Sequence, residues 1–547
     1  MKIAGLYNWH DGGYCILEDG IVKEHIEHER YTRVKADGGD SLQRLIKNKV
    51  DIEKIDHWVS SAPNTNLEKG GGNTYETHKT IPKSKINFYS HHLCHAAHSF
   101  YSSSFVNSIV LTLDMMGLDC DGSEWSTCVF LGNNKKIRKL SSIHSNQMSL
   151  GNLWTKCTRF IFKLSAGHPR GSQAGSVMAM AALGSHEKYY DDFMKMATVD
   201  FGNILIPPRG MVRGWVEPDD DVVHPYLDKY RKIAESDENE KMNMAASLQK
   251  VTEDIVFDIV DKIIKYCKLN NIEHKNLCLS GGVSLNSVMT GKLKSRYQGE
   301  IDNFFIPPVP YDGGLNIGAC QYHWHHVLEN DRILDTHVSP YLGEAYTEDQ
   351  VLSAISDKKD KILKEEKTIN DIVDLLCGDK IISIFQGRSE SGRRALGNRS
   401  IIANPINPKM KDFINKKVKH RQWYRPFAPS VLHEHGEEWF ENYFNSPYMG
   451  FVFKLNKEKL GLAPAIEHED GTARIQSVTS EMNQNYYNLI NLFFKKTGVP
   501  MVLNTSFNDR EPIVETPADA LNCFLKTNID YLYFADHNIL ISRIDND

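Results

Sequence analysis

Two histidines one helical turn apart are the first candidates for chemistry in this sequence. His91 and His95 belong to the stretch 90–98, which follows a strand-like run, 86–89, and has a helix-compatible composition. Residues four apart lie on one face of a helix, so both rings can point at one ligand. Neutral imidazoles placed in this way are good ligands for first-row metals. Ordinary surface or helix-capping histidines give the same local pattern, so the pair alone leaves both interpretations open.

Two carboxylates are candidates to complete a metal site with these histidines. Asp114 ends a buried-looking strand, 109–113, and Asp312 lies in a loop just before a predicted helix. Two histidines and two aspartates would form a mixed nitrogen and oxygen set suited to Fe(II), Mn(II), Zn(II) or Ni(II). The two aspartates are far apart in the chain, so spacing alone does not establish either as a ligand.

The elements around these residues follow a repeated layout. The run 3–7 predicts a strand, which is followed by a polar turn and by a hairpin whose Asp19-Gly20 dipeptide is a strong turn signal. Strand 109–114, an acidic turn and the hairpin 126–140 repeat this order. The repeat indicates a duplicated, actin-like architecture. His10, on the first polar turn, is then a candidate base toward a substrate hydroxyl, although a turn histidine bonded to local backbone fits equally well.

Two further features could hold a nucleotide or another anion. A strand that leads through Gly281-Gly282 into a helix brings backbone N–H groups close to a ligand, but Gly-Gly is common in turns. Lys35 and Arg33 end a charged segment that is either a solvated helix face or an anchor for an anionic ligand.

Arginine-rich loops dominate the last third of the chain. Guanidinium groups bind oxyanions through paired hydrogen bonds, so clustered arginines beside Gly and Pro turns predict a phosphate or carboxylate site. A strand end that carries Asn504 and Ser506 offers amide and hydroxyl groups as well. The arginine-bearing segments are 386–400, 419–429 and 471–474.

Composition is that of a multidomain globular protein. The chain has 547 residues, 41% of them hydrophobic and 24% charged, and a net charge of −6. Ten scattered cysteines without a CxxC motif predict reduced thiols in a cytoplasmic protein. The N-terminus is expected to form a strand and not a secretory signal, and no apolar run is long enough to span a membrane. We expect a monomer or homodimer; the bulk charge neither demands nor excludes a nucleic-acid partner.

Taken together, the motifs resemble the O-carbamoyltransferase family, whose members modify nodulation factors, cephalosporins and aminoglycosides. The matching blocks run in family order over nearly the whole chain. They are WHDGG, ERYTRVK, HHLCHAAHSFY, LTLDMMG, LSGGVSLN, PYDGGLNIGA, SPYLG, GRSESGRRALGNRSI, RPFAPSVL, DGTARIQSV and NTSFNDREPIV.

The resemblance implies an α/β (α+β) fold with two domains. Residues 1–340 would form an actin-like carbamoyl-transfer domain, and residues 345–547 a YrdC-like domain that forms carbamoyl-adenylate. Carbamoyl phosphate would yield carbamate, which ATP converts to the adenylate. An acceptor hydroxyl, on a natural product or a sugar, would then take the carbamoyl group and release AMP. The polar segments 60–85 and 200–240 are expected to help choose that acceptor.

The resemblance also assigns roles to residues by their place in the motifs. His10 would be the catalytic base, and a divalent metal, often iron in such proteins, would be held by His91, His95, Asp114 and Asp312. The nucleotide would contact Lys35, Gly281 and Gly282. Carbamoyl phosphate would contact Arg394, Arg425, Arg474, Asn504 and Ser506.

Two alternatives stay open beside this interpretation. The acceptor could be a hydroxymethylated base in DNA, with which the extra cation Arg393 is compatible. The chain could instead be a non-catalytic, nucleotide-binding regulator built on an actin-like scaffold. Ser391 and Arg393 also depart from the usual family pattern, GRxExGPRALG, so the arginine loop is expected to differ somewhat from that of other members.

Overall fold

The protein is described here from a computed structural model, which covers residues 1–61, 81, 83–164, 173–205, 224–334 and 338–544. Residues 62–80, 82 and 206–223, from the two polar segments expected to help choose the acceptor, therefore lie outside the described residues. The chain divides into two compact units, Met1–Val338 and Ser339–Asp547. Each is described by itself.

The first unit contains two five-stranded sheets. In the first sheet the strand order is β3-β2-β1-β4-β5, with β1 antiparallel to β2 and parallel to β4. Its outer pairs follow the same rule, since β2 and β3 are antiparallel and β4 and β5 parallel. The strands are β1 (Lys2–Tyr7), β2 (Gly13–Glu18), β3 (Ile21–Glu27), β4 (His57–Ser60) and β5 (Ile86–Phe88).

The second sheet repeats this topology strand for strand. Its order is β8-β7-β6-β9-β10, with an antiparallel meander of three strands and then two parallel neighbours. The duplication predicted from the sequence is therefore present. The strands are β6 (Asn107–Leu118), β7 (Glu124–Asn133), β8 (Lys136–His144), β9 (Asn276–Ser280) and β10 (Asn303–Phe305).

Helices connect and cover these sheets. The longest begins at Asp237, whose carboxylate caps the N–H groups of Asn239 and Glu240. In chain order the helices of the first unit are α1 (His28–Thr32), α2 (Ser41–Lys47), α3 (His91–Ser102), α4 (Leu150–Lys156), α5 (Ala174–Met180), α6 (Tyr190–Ala197), α7 (Phe201–Leu205), α8 (Asp228–Ser236), α9 (Glu238–Leu269), α10 (Ser287–Arg296) and α11 (Leu315–Tyr322).

Two helices, α3 and α11, pack against each other between the two sheets. α3 follows the first sheet in sequence yet packs on β6 and β9 of the second, whereas α11 follows the second sheet and packs on β1 and β2 of the first. A Cβ atom at Gly318 would lie 1.9 Å from the carbonyl oxygen of Cys94, so only glycine permits this helix crossing. The crossing brings the N-terminal turn of α3 next to the loop that precedes α11.

The second unit is built on one eight-stranded mixed sheet and a small two-stranded sheet. The large sheet has the order β11-β20-β19-β12-β13-β18-β14-β17, and β15 pairs with β16. Its strands are β11 (Ile362–Glu366), β12 (Ile382–Phe385), β13 (Arg399–Ala403), β14 (Ala428–Leu432), β15 (Val452–Lys454), β16 (Thr472–Arg474), β17 (Gln476–Val478), β18 (Met501–Ser506), β19 (Tyr531–Phe534) and β20 (Ile539–Arg543).

Among the described residues, six helices accompany this sheet, and the protein is of the mixed α/β class predicted. The helices are α12 (Glu348–Ser356), α13 (Ile369–Cys377), α14 (Met410–Phe413), α15 (Gly436–Trp439), α16 (Gln484–Thr497) and α17 (Pro517–Lys526). Within the described part of the chain, no helix is both long enough and apolar enough to cross a membrane.

Candidate functional site

Four side chains from three separate stretches converge in the first unit. His91 and His95 project from the first turns of α3, Asp114 from β6, and Asp312 from the single helical turn that precedes α11. Each offers one ligand atom, and these atoms all lie within 4.8 Å of one another. His95 is fully buried, and the side chain of Asp114 is only 13% exposed. The chain thus folds to bring together the four residues that the sequence singled out.

The spacing of the polar atoms fits a bound cation. Nε2 of His95 lies 2.9 Å from Oδ2 of Asp114, 3.4 Å from Oδ1 of Asp312 and 3.1 Å from Nε2 of His91. Two imidazole nitrogens thus face each other beside two carboxylates, an arrangement that a shared cation would stabilise. Two nitrogen and two oxygen donors in a largely dry site suit a first-row divalent ion.

The electrostatics of this group also favour a positive charge. Burial alone would lower the pKa of His95, but Asp114 and Asp312 outweigh burial and raise it to about 9. Burial would raise the pKa of Asp114, yet its hydrogen bonds to His91 and His95 hold it well below its usual range. The carboxylates therefore stabilise a positive charge at this point, whether a proton or a metal ion carries it.

The backbone of β6 directs the side chain of Asp114 toward His91 and His95. The pairing of β6 with β7 is interrupted between Leu113 and Gly117, an irregularity that turns the intervening side chains away from the regular pleat. The backbone N–H of Met115 donates to Oδ1 of Asp114 at 2.7 Å and fixes its rotamer. Gly117 completes the bulge with its Cα facing the ring of His91, where an added Cβ would lie 2.3 Å from Cδ2.

This contact yields a first prediction. Gly117→Ala should weaken metal binding about 10- to 100-fold, because the ring of His91 must move away from the other ligands, a loss comparable to that of an outer-shell partner. Competition with a chelator would measure the affinity. Gly202→Ala, on α7, is the matched control, since nothing lies within 4 Å of its added Cβ. Equal metal affinity in Gly117→Ala and the unmodified protein would show that this close approach does not hold His91.

The predicted base, His10, lies at the edge of this group. Its side chain is 39% exposed, with Nε2 at 3.5 Å from Oδ2 of Asp312 and Nδ1 at 3.0 Å from Oδ2 of Asp11. Although burial lowers its pKa, the hydrogen bond to Asp11 and the charge of Asp312 raise it to about 9. Tyr7 donates its hydroxyl proton to Oδ2 of the same Asp312 at 3.1 Å. A carboxylate thus orients each side of the His10 ring.

The residues predicted to contact a nucleotide lie around the same group. The peptide N–H of Gly281 donates to the carbonyl of Pro310 at 2.6 Å, and an added Cβ at Gly282 would lie 3.3 Å from Oδ1 of Asp114. Lys35 is exposed, on a loop whose next residue, Ala36, accepts a hydrogen bond from the backbone N–H of Asp11 at 3.1 Å. The Gly-Gly turn therefore adjoins the four ligands, whereas Lys35 is linked to them through the His10 turn.

The other histidines of α3 face away from the four ligands. His92 is fully buried, and its two ring nitrogens contact Oγ1 of Thr112 and the carbonyl of Trp125 at 2.7 and 2.8 Å. Burial lowers its pKa to about 3, so it is neutral. His98 is likewise buried and neutral, with Nδ1 at 3.3 Å from Oγ of Ser102. These rings anchor the helix that carries the ligands.

A second candidate site lies in the second unit, where arginines cluster. Burial and then the positive charges of Arg394 and Arg425 lower the pKa of Arg474, and burial followed by Arg425 and Arg474 does the same to Arg421. Among the described residues, no carboxylate pairs with Arg425 or Arg474, and Nε of Arg474 has no hydrogen-bond partner. Partly buried like charges repel one another, so the cluster is suited to an anion.

Other predicted residues of this unit are engaged within the protein. The amide nitrogen of Asn504 donates to the carbonyl of Ala395, to Oγ of Ser430 and to Oε1 of Gln476, at 2.9 to 3.1 Å. Asn504 therefore holds the backbone next to Arg394. Ser506 donates its hydroxyl proton to Oδ1 of Asn508 at 2.7 Å.

The arginines of the 386–400 loop divide into two groups. Arg388 donates to the carbonyls of Gly343 and Leu342 at 2.7 Å, and the fully buried Arg399 donates to several carbonyls, including that of Gln386 at 2.7 Å. Both serve the fold. Arg393 is exposed and Arg394 is partly buried, and Arg394 is the one of these two that was predicted to contact the anion.

The sequence did not single out one buried cation of the second unit, Lys419. Lys419 is buried, and its ammonium group donates to Ser506 and Asn508 through contacts of 2.6 to 3.3 Å, all to neutral oxygens. It therefore brings positive charge directly behind Ser506. The sequence alone did not distinguish Lys419 from the rest of this basic run, in which Lys416 and Lys417 are exposed.

Comparison with known proteins supports a family assignment. Family models described as Carbamoyltransferase N-terminus and Carbamoyltransferase C-terminus match residues 63–321 and 373–542. Nodulation protein NolNO of Sinorhizobium fredii is 31% identical, over 97% of this chain and 79% of its own length. An uncharacterized protein of Synechocystis sp. is 29% identical over 96% of this chain and 94% of its own length. The crystal structure of full-length HypF, in its phosphate- and nucleotide-bound form, is 12% identical with a TM-score of 0.35, covering 60% of this chain and 56% of that one.

Proposed function

The chain belongs to the carbamoyltransferase family, and on that premise we propose that it is an ATP-dependent O-carbamoyltransferase. It would form carbamoyl-adenylate from carbamoyl phosphate and ATP, and then transfer the carbamoyl group to an acceptor hydroxyl on a natural product or a sugar. The observation that carries this proposal is the buried group His91, His95, Asp114 and Asp312, which offers a cation site to the phosphate of an adenylate.

We assign the transfer step to the first unit and the activation step to the second. The repeated sheet topology and the crossed helices α3 and α11 support an actin-like fold for the first unit. A YrdC-like fold is proposed for the second unit, whose clustered, partly buried arginines suit a small dianion.

Activation would begin at the arginine cluster. Arg394, Arg425 and Arg474 bind carbamoyl phosphate together with Ser506, and Asn504, whose amide nitrogen bonds to Ala395, Ser430 and Gln476, holds the backbone beside Arg394. Cleavage of carbamoyl phosphate by water gives carbamate and inorganic phosphate. A carbamate oxygen then attacks the α-phosphorus of ATP, which forms carbamoyl-adenylate and releases pyrophosphate. Both intermediates hydrolyse readily, so they must be kept from bulk water.

Transfer would take place beside the four-ligand group. In its neutral form His10, oriented by Asp11, accepts the proton of the acceptor hydroxyl. The hydroxyl oxygen bonds to the carbamoyl carbon, the bond to the AMP oxygen breaks, and AMP leaves. Lys35 and the Gly281-Gly282 turn contact the nucleotide.

The four ligands fit a divalent metal, for which we propose Fe(II), with Zn(II), Mn(II) or Mg(II) as alternatives. When bound, the ion would act as a Lewis acid that stabilises the negative charge on the departing AMP phosphate. His91 and His95 would contribute nitrogen ligands, and Asp114 and Asp312 oxygen ligands.

Product analysis tests the proposed reaction. With ATP and carbamoyl phosphate together, we expect release of pyrophosphate that neither substrate supports alone. A mass-spectrometric screen of hydroxylated acceptors, with hydroxymethylated DNA among them, should then find a carbamoyl mass gain matched by AMP release. Nucleotide binding without pyrophosphate release would contradict the proposal and favour a non-catalytic regulator. A mass gain confined to the DNA would place the acceptor in nucleic acid.

A further inference from the structure

Ser280 lies directly behind the four-ligand group. It is the last residue of β9, it is fully buried, and it pairs in register with Thr112 of β6, two residues before Asp114. Its side chain extends between the ring of His95 and the loop that leads to Asp312. No motif assigns it a role beyond preceding the Gly-Gly turn.

The hydroxyl of Ser280 makes two contacts in opposite directions. Oγ lies 3.1 Å from the carbonyl oxygen of Pro310, and 3.4 Å from Nδ1 of His95. The carbonyl oxygen can only accept, so the single proton of the hydroxyl is donated to Pro310. The lone pairs of Oγ then face His95, and Nδ1 of that ring must carry a proton to complete the contact.

This assignment leaves Nε2 of His95 as the ligand atom. Nε2 is the nitrogen that faces the two carboxylates and His91. With the Nδ1 proton fixed by Ser280, a metal ion need displace only a proton from Nε2. Without an acceptor at Ser280, the neutral ring would favour the other tautomer, in which Nε2–H donates to Asp114 at 2.9 Å and competes with the metal.

The same hydroxyl also holds the second half of the site. Pro310 accepts from Oγ of Ser280 and from the backbone N–H of Gly281, at 3.1 and 2.6 Å. Its carbonyl is therefore fixed two residues before Asp312. One side chain thereby links a nitrogen ligand, the loop of an oxygen ligand and the turn proposed to hold the nucleotide.

We propose that Ser280 is a positioning residue of this centre, which fixes the His95 tautomer through Nδ1 and fixes the Asp312 loop through Pro310. The inference rests on the proposed metal centre. In this role Ser280 is the fixed acceptor to which a metal-binding histidine donates its other ring N–H.

Metal affinity is the first test. Ser280→Ala should weaken binding of Co(II) about 10- to 100-fold, measured by competition with a chelator on the full chain. Ser280→Thr keeps the hydroxyl and should recover most of the affinity. Ser284→Ala is the matched control: Ser284 is buried in the same turn and donates to the carbonyl of Ser280 at 2.9 Å, yet it contacts no ligand.

A spectroscopic measurement does not depend on whether Ser280→Ala folds. In the Zn(II)-loaded protein labelled with ¹⁵N-histidine, we expect a slowly exchanging ring N–H proton on Nδ1 of His95, identified by its loss in His95→Gln. Absence of that protected proton would overturn the inference. Equal Co(II) affinity in Ser280→Ala and the unmodified protein would also overturn it, provided that His91→Ala loses Co(II) binding. If the unmodified protein itself bound no metal, the result would contradict the proposed metal centre, on which the inference about Ser280 rests.

Discussion

Replacement of His91 by alanine is expected to abolish carbamoyl transfer while carbamoyl-adenylate formation survives. The ring contributes one of four ligand atoms, and its Nε2 lies 3.4 Å from Asp114 and 3.6 Å from Asp312. Its loss leaves two buried carboxylates with a single imidazole, so both the cation and the stabilisation of the departing phosphate are lost. We expect the transfer rate to fall at least about 100- to 1,000-fold, the usual cost of one group that stabilises transition-state charge.

Two separate assays would measure this result. Pyrophosphate release from ATP and carbamoyl phosphate reports activation, and carbamoylation of an acceptor from supplied carbamoyl-adenylate reports transfer. His98→Gln is the matched control, because His98 is a buried histidine on the same helix and its pKa of about 3 keeps it neutral. A His91→Ala protein that lost both half-reactions would contradict the division of labour proposed here.

Local sequence patterns predicted the repeated sheets and the candidate ligands of the first unit, because both show as apolar runs that end in polar residues. The two strand–turn–hairpin segments predicted a duplication, and the structure contains two sheets of identical strand order. Asp114 was recognisable because it ends an apolar strand, and Asp312 because it lies in a loop just before a predicted helix. Their meeting with His91 could not be derived from spacing, since it depends on how α3 and α11 exchange sheets and cross at Gly318.

Burial decided the roles that sequence could not assign in the second unit. Arg388 and Arg399 have the same local setting as Arg394, yet backbone carbonyls surround them. Lys419 is buried among neutral oxygens, whereas the adjacent run of lysines is exposed. Whether a cation binds the protein's own carbonyls or a ligand depends on which neighbours the tertiary fold supplies, and a linear motif does not encode this information.

Replacement of Arg474 by alanine should give the opposite pattern to His91→Ala: activation is blocked, and transfer from supplied adenylate is retained. Arg474 lies on β16, close enough to Arg394 and Arg425 for their charges to lower its pKa. Its unpaired Nε and its guanidinium fork are suited to two oxygens of one phosphate. We expect the efficiency with carbamoyl phosphate, kcat/KM for pyrophosphate release, to fall about 100- to 1,000-fold.

Two variants separate the charge of Arg474 from its geometry and from general damage. Arg474→Lys keeps a cation but loses the planar fork, so it should restore only part of the activity. Lys454→Ala, on the paired strand β15, removes an exposed cation from the same small sheet and should leave activation unchanged. If Lys454→Ala were as impaired as Arg474→Ala, the effect would be general. If Arg474→Ala activated carbamoyl phosphate normally, the anion would bind elsewhere.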